Sequence, residues 1–112
     1  MKYFLILLFL GGSLSVSAQT NIDGNWRGTR EAPNGTYEIN YTFKVDGKTL
    51  TGMMRTPFAE VKLDNGTIDS NKFTYSFTYN NTTIKSKGEI LSENEILIKN
   101  QFGEMKLTRV KS

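Results

Sequence analysis

The side chains here best suited to chemistry are tyrosines, and the chemistry they suit is binding. Tyr37 and Tyr41 share one face of an alternating run, and Tyr75 and Tyr79 share one face of another. Rings stacked along a face with hydroxyls at their tips suit a small hydrophobic or amphipathic ligand, or a sugar ring. Met54 has the parity of Leu50 and Gly52, so it belongs to the same inner lining, whereas Met53 points outward and marks a contact surface. Phe102, with Asn100 and Gln101 beside it, falls where the same lining would meet solvent. The candidate ligand-binding residues are therefore Tyr37, Tyr41, Met54, Tyr75, Tyr79 and Phe102.

Catalysis has little to work with. The chain has no histidine and no cysteine. The usual general base, the commonest metal ligand, the thiolate nucleophile and any disulfide framework are all missing. Glycoside hydrolysis needs two carboxylates flanking a cleft. Yet Glu38, Glu60, Glu89 and Glu104 fall on outward positions of alternating runs, and Asp23, Asp46, Asp64, Asp69, Glu93 and Glu95 sit at run starts or turns. The segment Asp64 to Asp69 is too short for a calcium loop and lacks the closing glutamate. The expectation is a protein that is not an enzyme and has no catalytic residues, no cofactor and no metal. The basic residues do not form a stripe. Arg27/Arg30 and Lys85/Lys87 are the close basic pairs and read as solvated faces, and Arg30/Glu31 reads as surface solubility. Nucleic acid is not an expected partner.

The first residues carry a different signal. Lys2 precedes eight apolar residues, Tyr3 to Leu10, then Gly11, Gly12 and small residues up to Val16-Ser17-Ala18. Val16 and Ala18 suit signal peptidase, which places cleavage after Ala18. The apolar run is shorter than the roughly 20 residues a membrane helix needs, and no cysteine stands at the cleavage point for lipid attachment. Residues 1–18 are expected to be a signal peptide and residues 19–112 one domain, exported to the periplasm or beyond as a soluble protein without a lipid anchor or membrane span. Without Lys2 the chain holds 13 basic and 11 acidic residues.

The elements that must position the tyrosines are strands. From Tyr37 to Val45 every odd position is apolar and every even one polar, and Phe73 to Tyr79 alternates in the same way. Asp46-Gly47 after the first run suits a two-residue type I′ hairpin, and Asn80-Asn81 after the second can also take left-handed φ. Pro57 stops a strand. Strands are expected at about 22–31, 36–45, 48–56, 58–64, 66–69, 72–79, 82–91 and 95–102, with Glu104 to Val110 as a ninth. If 58–64 and 66–69 are one strand bent around Asn65-Gly66, the count is eight. Connections this short force antiparallel neighbours, so the topology is an up-and-down meander. Two open edges on so long a sheet invite aggregation, and closure removes them. Outward residues such as Glu38, Asn40, Thr42 and Lys44 are polar, unlike the lipid face of a membrane barrel. The fold class is all-β, an antiparallel meander closed into a small, roughly eight-stranded barrel.

Both chain ends carry a family resemblance. Gly24-Asn25-Trp26-Arg27-Gly28 resembles the G-x-W motif that opens lipocalins and related calycins, and Gly103 to Arg109 (GEMKLTR) resembles the last strand of small exported bacterial lipocalin-like domains. The resemblance implies a lipocalin-like barrel in which Trp26 packs at the closed end against a basic residue of the last strand. Arg109 has the inward parity of Met105 and Leu107, and an indole face is a good partner for an inward guanidinium. Trp26 and Arg109 are thus expected to be structural. The chain is much shorter than true lipocalins and lacks their cysteines and C-terminal helix.

The expected function is a small exported binding protein that takes a small hydrophobic or amphipathic ligand at the barrel mouth. The rival reading is a non-catalytic structural or interaction module with a filled core, related to domains appended to secreted hydrolases, with a homodimer or an envelope protein as partner. Internal volume separates the two. A cavity of roughly 300 Å³ or more favours a ligand.

Overall fold

The computed structural model describes residues 21–111, so the expected signal peptide lies outside the described residues. Nine strand segments run in chain order: β1 (Gly24–Ala32), β2 (Gly35–Asp46), β3 (Thr49–Arg55), β4 (Glu60–Lys62), β5 (Asp64–Asp69), β6 (Lys72–Tyr79), β7 (Thr82–Ser92), β8 (Glu95–Asn100) and β9 (Gly103–Arg109). All pairings are antiparallel, successive strands pair along the chain except β4 with β5, and β9 returns to β1. The result is a closed eight-stranded antiparallel meander barrel. β4 and β5 together fill one place in the ring, because both pair with β3. Leu63 joins them, and its N–H bonds the Gly52 carbonyl at 2.9 Å. A bulge between Asp64 and Thr67, with Asn65 at φ 54°, supplies the bend expected around Asn65-Gly66.

Alternation explains the ladder. Along β2 Ile39, Tyr41 and Phe43 are buried, and along β7 Ile84, Ser86, Gly88 and Ile90 are buried, with residues between them facing out. On the outer face Glu38 meets Arg27 at 3.1 Å, Glu60 meets Arg55 at 2.7 Å and Glu104 meets Lys99 at 3.6 Å. These half-exposed pairs stabilise little. Gly52 marks one close crossing. A Cβ there would lie 2.1 Å from the Thr42 carbonyl oxygen, so β3 approaches β2 this closely only without a side chain.

One hairpin differs from the expectation. Asp46 pairs with Thr49, so the turn residues are Gly47 and Lys48 rather than Asp46 and Gly47. Gly47 has φ 64° and Lys48 is not left-handed, so the turn lacks the two positive φ values of type I′. Asn80 and Asn81 do have both, at 53° and 64°.

The seam between β9 and β1 is the shortest full-strand ladder in the ring, with Thr108 opposite Arg27 and Arg109 opposite Trp26. Side chains fasten it. The Arg109 guanidinium lies over the Trp26 ring, 4.4 Å from the ring centre. Its Nη2 donates to the Asn21 carbonyl at 2.8 Å, Nη1 to Asp23 at 3.2 Å and Nε to Glu93 at 3.0 Å. Trp26 Nε1 donates to the Ile22 carbonyl at 2.9 Å. Thus Ile22, fully buried though not in a strand, is drawn under the indole and plugs this end. Phe43, Leu50, Phe73, Ile96 and Leu107 complete the dry core. Burying each such side chain stabilises by about 1.5–3 kcal/mol.

Candidate functional site

The two barrel ends differ because the dry core stops short of one of them. Turns at Gly47-Lys48, Ser70-Asn71 and Glu93-Asn94 flank the plugged end. The opposite end is ringed by Pro33-Asn34, Thr56–Ala59, Asn80-Asn81 and Gln101-Phe102. There the interior opens into a cup of about 230 Å³.

The cup is built from strand ends. Tyr41 and Ile39 of β2, Met54 of β3, Phe77 of β6 and Met105 of β9 face its lower part, and all five are buried. Tyr37, Phe58, Tyr79 and Phe102 stand around the opening. Three of these residues are exposed: Phe58 by 72%, Phe102 by 57% and Tyr79 by 43%. Phe58 is carried by the loop after Pro57, where the Thr56 hydroxyl accepts hydrogen bonds from the Phe58 and Ala59 N–H groups, both at 3.1 Å. Its ring meets Tyr37 edge-to-face, with centres 5.4 Å apart. Exposed rings gathered at one opening are unlike the scattered apolar residues of an ordinary surface.

Beneath the cup runs a polar chain. The Tyr41 and Tyr75 hydroxyls bond each other at 2.9 Å. Ser86 stands opposite Tyr75 on the neighbouring strand, and the Asn100 side-chain amide donates to the Ser86 hydroxyl at 3.2 Å. Burial pushes the Tyr41 phenol well above its ordinary pKa and raises that of Tyr75 too. Both hydroxyls are therefore neutral at physiological pH and act as hydrogen-bond partners, not as bases. Among the described residues, no buried side-chain polar atom lacks a partner.

Of the residues expected to bind, Tyr37, Tyr41, Met54, Tyr79 and Phe102 are brought together around the cup. Tyr75 is not among its lining residues. It lies behind Tyr41, 2% exposed, and holds that ring by its hydroxyl. Asn100 lines the cup, while Gln101 faces solvent in the turn. Met53 is half-buried on the outer wall rather than fully exposed.

Arg30 corrects the sequence reading outright. It is not a solvated surface residue, for it lines the cup. It follows Trp26 and Gly28 on the inner face of β1, and that parity was the signal that could have found it. The basic-pair reading failed because Arg27 and Arg30, three apart on a strand, point to opposite faces. Arg27 pairs with Glu38 outside. Arg30 lies 5.7 Å from the centre of the Phe102 ring, and its Nη1 donates to the Phe102 carbonyl at 3.3 Å.

The arrangement is an apolar, aromatic-walled cup with polar tips from Tyr37, Tyr41, Thr56, Tyr79 and Asn100 and one cation, Arg30, at its edge. Four of the acidic side chains, Glu38, Glu60, Glu95 and Glu104, are instead engaged in ion pairs with Arg27, Arg55, Lys106 and Lys99. No protein-family model, curated protein or solved structure matches this chain.

Proposed function

We propose that this is an exported binding protein of the lipocalin-like type, which holds a small hydrophobic or amphipathic ligand at the barrel mouth and does no chemistry on it. The observation that carries the reading is the asymmetry of the interior. One end is plugged by Ile22, Trp26 and Arg109, while the other is an apolar cup rimmed by exposed rings. Leaving Phe58, Tyr79 and Phe102 in water is unfavourable by the hydrophobic effect, and a ligand seated among them would recover that free energy. At about 230 Å³ the cup is smaller than the roughly 300–1,000 Å³ typical of drug-sized ligands. It fits a single ring or a short chain. Export rests on the sequence of residues 1–18, and the calycin relationship on the Trp26–Arg109 contact.

Binding of a neutral one-ring probe, p-cresol, followed by NMR shifts of the cup residues, tests the cup. Ala59→Phe places a ring into the cup from the mouth loop and should weaken binding more than tenfold. Undiminished affinity in that variant refutes a ligand site here.

The same bare rim and modest volume favour a second reading, in which the mouth clasps a side chain of a protein partner or of a second copy. Native mass spectrometry of protein recovered from its own envelope separates the two. A retained small molecule on a monomer supports the first, and a stable dimer or heterocomplex supports the second.

A further inference from the structure

We propose that the ligand is a small aromatic carboxylate, one ring on a short arm, whose anionic head pairs with Arg30 while its ring sits among the rim aromatics. This rests on the cup being a ligand site. Arg30 is the charged side chain among those lining the cup, and among the described residues no carboxylate lies within 4.0 Å of it. Every arginine and lysine in the ion pairs found among the described residues faces outward, and the other inward arginine, Arg109, is spent on Trp26 and three carbonyls at the plugged end, so Arg30 is set apart by its position in the cup. Among the described residues, its side chain makes one hydrogen bond, the 3.3 Å contact with the Phe102 carbonyl, which leaves most of its five N–H donors for a guest. A carboxylate matches the guanidinium fork with two parallel hydrogen bonds.

The neighbouring groups agree with this head group. Asn100 spends its side-chain oxygen on the Phe102 N–H at 2.9 Å and one amide hydrogen on Ser86. What it has left for the cup is a donor, which suits an acceptor such as carboxylate. The field of Arg30 extends inward, since its charge acts to lower the phenol pKa of both Tyr41 and Tyr75 against the larger, opposite effect of burial. The apolar part of the guest is set by the walls. Tyr37, Phe58, Tyr79 and Phe102 offer ring faces and edges, which favour an aromatic guest by edge-to-face or stacked contact. The volume excludes long acyl chains.

The test compares 3-phenylpropionate with 3-phenylpropionamide, which match in shape and differ in charge. Titrations are followed by backbone and side-chain N–H NMR shifts at pH 7 in the purified protein. The acid is expected to bind at least tenfold tighter than the amide, to shift the Arg30 Nε–H and Asn100 side-chain signals, and to weaken with added salt. Arg30→Gln should bring the acid down to the affinity of the amide, and Arg30→Lys should restore part of the difference. Equal binding of acid and amide to the wild type overturns the anionic head group while leaving the cup as a site. Failure of both, together with no binding of p-cresol, overturns the cup itself and this inference with it. The wild-type comparison stands even if an Arg30 variant does not fold.

Discussion

Replacing Arg109 with alanine should open the barrel's weakest seam. The strand ladder there spans Thr108–Arg27 and Arg109–Trp26. The Arg109 side chain adds three hydrogen bonds, of 2.8, 3.0 and 3.2 Å, to carbonyls of the N-terminal segment and of the β7–β8 turn. It also caps the indole at 4.4 Å. A charged hydrogen bond is worth about 1.5–3 kcal/mol when well shielded. These carbonyls lie near the surface, where water replaces the lost donor, so about 0.5–1 kcal/mol each is the realistic scale. The cation–π contact adds about 0.5–1 kcal/mol. The total is about 2–4 kcal/mol, a large share of the ~5–15 kcal/mol expected for a whole domain. For a barrel of this size that lowers Tm by roughly 10–25 °C. Trp26 is the sole tryptophan and is fully buried, so its emission reports the transition directly in a denaturant titration. Arg109→Lys should recover part of the loss. Arg55→Ala, which removes only a half-exposed ion pair, is the control and should cost under about 0.5 kcal/mol. If Arg109→Ala proves as mild as Arg55→Ala, the seam is not held by that side chain and the argument for closure by indole and guanidinium fails.

Two further outcomes follow from the interior. Gly88→Ala should destabilise by about 1–3 kcal/mol or more, because its Cβ would lie 2.1 Å from Cζ of the Phe73 ring, which covers that glycine from the opposite strand; a midpoint unchanged in urea would show that the ring can move aside freely. Stability should also fall as pH rises from about 10. The phenol pKa values of Tyr41 and Tyr75 are raised in the folded state above the ordinary 10.0. Their contribution is complete below the unfolded-state value and is lost as pH climbs through the folded-state values, because the unfolded chain releases those protons first. Urea midpoints measured from pH 8 to 11 check this, and the double variant Tyr41→Phe/Tyr75→Phe should show a shallower decline. An equal slope in that variant would place the alkaline sensitivity elsewhere.

Most of the fold was legible because side-chain alternation has a period of two and the turns are short. Parity put Tyr41, Phe43, Phe73 and Ile98 inside and Glu38, Glu60 and Glu104 outside, and each is found there. The turn at Asp46-Gly47 was misplaced by one residue, because hairpin register depends on which residues reach pairing distance and not on the dipeptide alone. Arg30 was misread because charge outweighed parity: an arginine on an inner face is tolerated only where the interior is open, and openness is a property of the assembled ring. Tyr75 was grouped with the lining for the converse reason. It has the correct parity, but depth along the barrel axis decides whether a ring meets the cup or the core.

From the chain alone came the strand order and most inward and outward faces, which follow from local periodicity, and the Trp26–Arg109 contact, which the resemblance of the two chain ends implies. Only the closed ring decided where the packing stops. Curvature brings side chains from non-adjacent strands together, as with Tyr41 against Tyr75 or Arg30 beside Phe102, and no local pattern records how much space remains between them.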